Sequence, residues 1–382
     1  MTDTRTSGQR LPSLDVLRGL TVIGMILVNA TAGMYYGLEA KVFPLLLHVH
    51  WDGLKIADVV FPAFLTMVGL SIPLALHKAK AAGGLDAAQA QKIFWRTFRL
   101  FFIGWLLSNL SWLADFDSGP WRFWGVLQRI GLVYGAAAVL FLLFGPKTRL
   151  GIAAAILLLY WPLSLMPALD GLPNDLWARG HNFIASVDRV MFGASGHNYV
   201  KGPEGYDPEG LLGTLPAIAQ ALISMAAGEF LMQARKRSAL TLAGAGAVLL
   251  AVGIGWGFVF PVVKDIWSSS FVLVTTGITL LILAPLHALL DKNGLDNRGP
   301  VTGLLNGPVT FATAFGVNAI AAYVLHFLMN SLLGWQLLTQ TYFASRDTVG
   351  EAVAALFPVI LFILAVWLPV EYLRRRKWII KV

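Results

Sequence analysis

Ten apolar runs, each about 20 residues long, are separated by connectors that hold most of the charge, and they constrain this 382-residue chain more than any other feature. A helix needs about 20 mostly apolar residues to cross the hydrocarbon core of a bilayer. The runs lie at roughly 14–36, 54–77, 93–113, 122–144, 149–167, 211–233, 238–260, 268–288, 308–329 and 352–373. Each is about twice the length of a barrel strand and none alternates with period two, which excludes a transmembrane β-barrel. The expected fold class is an all-α polytopic membrane protein, a single transmembrane domain over 1–382 with about ten helices.

Composition agrees with that reading. Only 13% of the residues are charged, where a soluble domain carries about a quarter. The deficit is even along the chain, so no soluble domain is expected at either end. The first run, from Leu14 to Tyr36, is too long for a cleavable signal and reads as an uncleaved first helix. There is no cysteine, which excludes disulfides, thiolate metal sites and cysteine nucleophiles.

The net charge of +8 does not point to nucleic acid, because the basic residues sit in connectors. One side of the membrane collects Arg5, Arg10, Lys78, Lys80, Lys92, Lys147, Arg149, Arg235, Lys236, Arg237, Lys292, Arg298, Arg374, Arg375, Arg376, Lys377 and Lys381. The other holds Lys41, Lys55, Arg122, Arg179, Arg189, Lys201, Lys264 and Arg346. That asymmetry predicts both termini in the cytoplasm. The loops 37–53, 114–121, 168–210, 261–267 and 330–351 then face outward, and 168–210 is the one substantial extramembrane piece, either a binding loop or a plain connector.

Ionisable groups inside a bilayer are costly unless paired or wetted, so they mark candidate sites. Asp15 and Arg18, three apart, share a face of the first helix and read as an ion pair at its start. Asn29 lies two or three turns further on, where a lone Asn commonly bonds a neighbouring helix. The densest cluster runs from Leu47 to Pro62, with His48, His50, Asp52 and Asp58. His48 and Asp52 are four apart, so on a helical turn that carboxylate would fix the imidazole tautomer. Asp58 lies inside the second span ahead of Pro62, whose missing N–H frees a carbonyl. Two alternatives stand beside the catalytic one. His48 and His50 with Asp52 would make an incomplete metal site, and His48 beside Trp51 would be an interfacial side chain of the aromatic belt.

Gln128 and Arg129 fall early in the fourth span, where Arg129 is too deep to snorkel and needs an anionic partner, Asp58 or a ligand phosphate. Arg96 and Arg99, near the inner end of the third span, can reach the interface or an anionic cytosolic ligand. Asn318, Tyr323 and His326 share the ninth span, which is expected to carry His326 toward the outer half that holds His48. Glu229 and Glu371 read as structural. The glycines of Gly244–Gly246 and Gly253–Gly257 suit close helix packing, and no Walker or Rossmann fingerprint occurs in a strand–helix context.

Several blocks in order resemble the heparan-α-glucosaminide N-acetyltransferase family. They are Leu14-Asp15-Val16-Leu17-Arg18-Gly19 with Val28-Asn29, then His48 with Trp51-x-Gly53-Leu54-x-x-Ala57-Asp58-x-Val60-Phe61-Pro62, then Gly69 and Ser71. Gly125-Val126-Leu127-Gln128-Arg129-Ile130-Gly131 and Tyr206-Asp207-Pro208-Glu209-Gly210-Leu211-Leu212-Gly213-Thr214 follow. Trp267-Ser268-x-Ser270 and Asn318-x-x-x-x-Tyr323-Val324-x-His326 complete the set.

The resemblance implies a transmembrane acyltransferase that moves the acetyl group of cytosolic acetyl-CoA to an amino sugar or glycan across the membrane. It places the active histidine at His48, as general base or acetyl carrier, with Asn29 and Asp58 beside it. His50 falls where animal members have serine, which counts against a metal site, and no metal is expected. Arg18, Arg96 and Arg99 are then placed for the cofactor's phosphates, with Gln128, Arg129, Asn318, Tyr323 and His326 as further cofactor-binding candidates. The expected setting is a bacterial cytoplasmic membrane, with lipid around a catalytic core that lacks the long amino-terminal region of animal members, and family members suggest a homodimer. A proton-coupled transporter of a small polar solute suits buried Asp, Arg and His equally well, and a non-catalytic helper in envelope assembly is the third reading.

Overall fold

The computed structural model describes residues 11–233, 238–292, 300–332 and 335–380, and the described residues are mostly helical and form no β-sheet. Arg5, Arg10, Arg235, Lys236, Arg237, Arg298 and Lys381, which helped to set the predicted orientation, lie outside them, as does the side chain of Lys292. In chain order the helices begin with α1 (Pro12–Leu38), α2 (Ile56–Ala81), α3 (Ala87–Ser108), α4 (Leu110–Ala114) and α5 (Val126–Leu143). They continue with α6 (Pro146–Ser164), α7 (Phe183–Phe192), α8 (Thr214–Leu231), α9 (Ser238–Gly257) and α10 (Ser269–Leu286). The last are α11 (Pro300–Val317), α12 (Ala319–Leu332), α13 (Trp335–Val349), α14 (Glu351–Ala354) and α15 (Leu356–Arg375).

A helix occupies each of the ten predicted runs. Among the described residues seven are long and apolar enough to cross a membrane, or eight if a bent pair counts as one span. The helices α3 and α6 fall short. Lys92, Arg96 and Arg99 interrupt the apolar surface of α3, and α6 spends its first turn on Pro146, Lys147 and Arg149. The bent pair corrects the single run expected at 308–329: it breaks at Asn318 with an 84° bend. Asn318 donates its amide nitrogen to the carbonyl of Trp378 and accepts the N–H of Ile380, so its side chain serves the C-terminal segment. Asparagine competes for backbone groups in this way and favours helix ends. The connectors 168–210 and 330–351 also hold helices, α7 and α13, which the absence of a long apolar run had hidden.

The chain folds as two compact units. One comprises 50–53 and 62–281, the other the described residues of 10–49, 54–61 and 282–382. In the second unit α1 begins at Pro12, which suits a first helical position that needs no N–H. Its cap comes from far along the chain: Asp291 accepts the Ser13 N–H at 3.0 Å and the Ser13 hydroxyl, while His287 holds the same carboxylate at 2.7 Å. The far end of α1 closes on Glu39 in the left-handed conformation, φ 52°, with the Ala40 N–H on the Met34 carbonyl.

The helices α1 and α11 cross at backbone distance. A Cβ added at Gly316 would sit 1.7 Å from the Asp15 carbonyl oxygen, and one at Gly19 would sit 1.8 Å from that of Ala312. Small residues are what allow such a crossing. In the first unit Gly69 against Ala221 and Gly228 against Leu70 let α2 and α8 approach in the same way. A separate apolar core there gathers Trp51, Tyr160, Leu176, Ile184, Tyr206, Phe260 and Ile266.

Gly316→Ala and Gly19→Ala are expected to cost about 1–3 kcal/mol by overpacking, read as a drop of several degrees in thermal unfolding of the detergent-solubilised protein. Gly33, on the same α1 with nothing near its missing Cβ, accepts Ala without loss; equal effects at all three sites would refute the close crossing.

Candidate active site

The second unit builds its polar centre around Asp58, which stands in the first turn of α2 and is 1% exposed. Its Oδ2 accepts the N–H of Lys55 at 3.1 Å, as the third helical residue of a capping box reaches back to the residue before the helix. The same oxygen accepts the N–H of Val49 at 3.1 Å, which draws the segment before the helix back over the carboxylate. Oδ1 then receives Nδ1 of His48 at 2.7 Å. An ionised carboxylate only accepts, so Nδ1 carries a hydrogen and the neutral ring keeps its lone pair on Nε2. His48 is 44% exposed while its partner is sealed. The pair is an imidazole oriented from behind by a buried carboxylate, with its ring partly exposed.

This arrangement corrects one expectation. Helical spacing offered Asp52 as the carboxylate to orient His48, on the premise that 48–52 forms a turn, while the family resemblance set Asp58 beside the ring. The helix begins only at Ile56, and the Asp52 carboxylate accepts the Val262 N–H at 2.9 Å within the first unit. Ten residues of separation, with a chain reversal between, bring Asp58 to His48 instead.

Elsewhere in the same unit Asn29 stands exposed on α1 between buried Val28 and Ala30. Its Nδ2 lies 3.2 Å from Nε2 of His326, whose Nδ1 faces the Tyr323 carbonyl at 2.9 Å. The Tyr323 ring is buried and packs on His326 and Phe327. Toward the start of α1 Arg18 pairs with Asp15 at 3.2 Å and donates to the Gly316 carbonyl at 3.4 Å. Gly316 is two residues from Asn318, which ties down Trp378 and Ile380 just past the run Arg374-Arg375-Arg376-Lys377. That end of the unit gathers five cationic side chains, Arg18 and the run Arg374–Lys377, against Asp15, which pairs with Arg18, and Glu371, which pairs with Arg374 and Arg375.

The remaining candidates belong to the first unit. Arg96 lies over the Tyr134 ring at 4.3 Å, and Arg99 donates to the carbonyl of Trp95 in its own helix. Gln128 is fully buried and donates to the Phe123 carbonyl. Arg129, 0% exposed, donates Nη2 to the Gly210 carbonyl at 3.0 Å and stacks on Trp267 at 4.9 Å. Its Nε and Nη1 have no hydrogen-bond partner among the described residues. The stack continues through Trp267, held at φ 55°, which donates Nε1 to Oε1 of Gln220. Gln220 in turn donates to the Pro62 carbonyl and the Thr66 hydroxyl, so it supports α2 where its proline interrupts the ladder. Nothing in the sequence pattern marked Gln220, a polar residue in an otherwise apolar run.

The block Tyr206 to Thr214 is a clamp. Asp207 grips Arg122 through both carboxylate oxygens, at 2.7 and 2.8 Å, and Glu209 bonds the same guanidinium. Gly210 lies against Asp188, where any Cβ would fall 2.0 Å from a carboxylate oxygen. Asp188 is buried beside Asp207, and desolvation first, then that neighbouring charge, push its carboxyl up to about 7.

Residues 10–188 match the family model described as heparan-alpha-glucosaminide N-acetyltransferase, catalytic. The human heparan-alpha-glucosaminide N-acetyltransferase is 27% identical over 420 aligned residues, covering 96% of this chain and 59% of the human protein. The mouse protein of the same name is 28% identical over 384, covering 87% of this chain and 55% of its own length. The chain thus spans somewhat more than half the length of these curated relatives.

Because Asp188 binds its proton more tightly folded than unfolded, the folded state holds the extra proton between the ordinary Asp range, about 4, and about 7. Stability should therefore fall as pH rises through that window. Asp188→Asn, which keeps an oxygen for the Leu211 N–H, is expected to flatten that part of the pH profile of thermal unfolding. An unchanged profile would show that Asp188 titrates normally.

Proposed function

We propose that this chain, whose residues 10–188 match the catalytic model of the heparan-alpha-glucosaminide N-acetyltransferase family, is a membrane-embedded acetyltransferase of that kind. It takes the acetyl group of cytosolic acetyl-CoA to an amino sugar or glycan amine on the far side of the membrane. The observation that carries the reading is the sealed Asp58 behind an exposed His48.

Acetyl-CoA supplies an activated thioester and anionic phosphates. The basic end of the second unit suits the phosphates, with Arg18 and the run Arg374–Lys377. Along α1, Asn29 lies roughly 16 Å of helical rise from Arg18, and the helix ends roughly 30 Å from it. A linear cofactor held by its phosphates at the Arg18 end would thus run parallel to α1 toward Asn29 and the segment that carries His48.

His48 Nε2 takes the proton that the neutral acceptor amine loses as its nitrogen attacks the thioester carbonyl. Asp58 keeps Nδ1 protonated and stabilises the imidazolium that results. Asn29 donates an amide N–H to the charge developing on the carbonyl oxygen. The carbon–sulfur bond then breaks, and His48 returns the proton to the departing sulfur.

Purified protein should release CoA from acetyl-CoA in the presence of glucosamine. His48→Ala and Asp58→Asn should each lower kcat about 10²–10⁴-fold, and Arg18→Gln should raise KM for acetyl-CoA about tenfold. A wild type that neither binds acetyl-CoA nor releases CoA with any amino-sugar or glycan acceptor sinks the reading. Full activity in His48→Ala sinks only the assignment of the base.

A further inference from the structure

Two nitrogens 3.2 Å apart, Nδ2 of Asn29 and Nε2 of His326, attract each other only if one carries a hydrogen and the other a lone pair. The second ring nitrogen decides which. Nδ1 of His326 faces the carbonyl of Tyr323 at 2.9 Å, and a carbonyl only accepts, so Nδ1 is protonated. The ring is 4% exposed, and among the described residues its partners are that carbonyl, the Asn29 amide and the rings of Tyr323, Phe327 and Phe362. No carboxylate is among them to hold a second proton, so the buried imidazole is neutral. Nε2 is therefore the acceptor and Asn29 the donor. The flipped amide would set its oxygen against the Nε2 lone pair, which is repulsive.

We propose that His326 is a positioning residue that locks the amide of Asn29 in one orientation. One Nδ2 hydrogen is committed to His326, and the other N–H and Oδ1 are presented on the exposed side of α1. His326 then acts through Asn29 and makes no contact of its own with acetyl-CoA. The inference rests on the reading of Asn29 as the donor to the carbonyl oxygen, and it turns an amide with two near-equivalent orientations into one with a defined donor direction. Such preorganisation is what gives a donor its value at a reacting centre.

The test compares His326→Gln, whose side-chain oxygen can accept near the position of Nε2, with His326→Leu, which cannot. The loss of a positioned donor costs about 10²-fold or more in kcat. His326→Leu should show that loss with acetyl-CoA binding and KM unchanged, His326→Gln should recover most of it, and Asn29→Leu combined with His326→Leu should be no worse than Asn29→Leu alone. His326→Met, which fills the ring's volume, takes the place of the Leu variant if that one does not fold. The proposal is overturned if the Leu or Met variant keeps full kcat, if acetyl-CoA binding falls in step with turnover, or if Gln rescues nothing. A readout independent of turnover is the ¹⁵N spectrum of the imidazole in the full-length protein, assigned by its disappearance in His326→Gln. A neutral ring protonated at Nδ1 is expected; the other tautomer or an imidazolium at neutral pH refutes the lock even if no acetyl transfer is found. A wild type without acetyl transfer, but with the expected tautomer, sinks the proposed function alone.

Discussion

A carboxylate sealed from solvent must find donors, and the site takes its shape from how Asp58 finds them. Among the described residues the N–H groups of Lys55 and Val49 and the Nδ1 hydrogen of His48 converge on it. The first caps α2, the second turns the incoming segment back over the helix start, and the third orients the ring. An anion at a helix N-terminus is also favoured by the helix dipole. One buried charge thus starts a helix, folds a loop and sets a tautomer, which is why its removal should disturb chemistry as well as local structure.

The second unit distributes its polar groups along α1. The Asp15–Arg18 pair and the close crossing with α11 lie at one end, Asn29 further along, and the turn at Pro44–Leu46 beyond the other end. Breaking the ninth run at Asn318 has a consequence for this layout. It frees α12 to leave the direction of α11 by 84°, and α12 is the helix that carries His326 to Asn29. The same asparagine that ends α11 also secures the segment beyond the basic run of α15.

In the first unit the polar groups support one another. Arg122 is clamped by Asp207 and Glu209, and Arg129 is held between a carbonyl and an indole face. Gln220 carries the interrupted turn of α2 at Pro62. Arg129 was expected to seek Asp58 or a phosphate. It is fully enclosed on Gly210 and Trp267, where the cation–π contact and one hydrogen bond offset part of the cost of its burial.

Sequence alone determined the class of this protein. Runs of about 20 apolar residues can satisfy their backbone in lipid only as helices, and ionisable residues within those runs had to be functional or paired. That argument led to Asp58 and Arg18 without a structure, because the cost of burying a charge is a property of the residue and its surroundings in the chain, while the reading of His48 and Asn29 as active residues came from the family resemblance. What the sequence could not determine was partnership. Spacing joined His48 to Asp52, since four residues apart means contact only within a helix, and 48–52 is not one. It left Asn29 and His326, 297 residues apart, as two separate polar residues. Only tertiary structure decides such pairs, because chain reversals and helix breaks, not separation along the chain, set which groups meet.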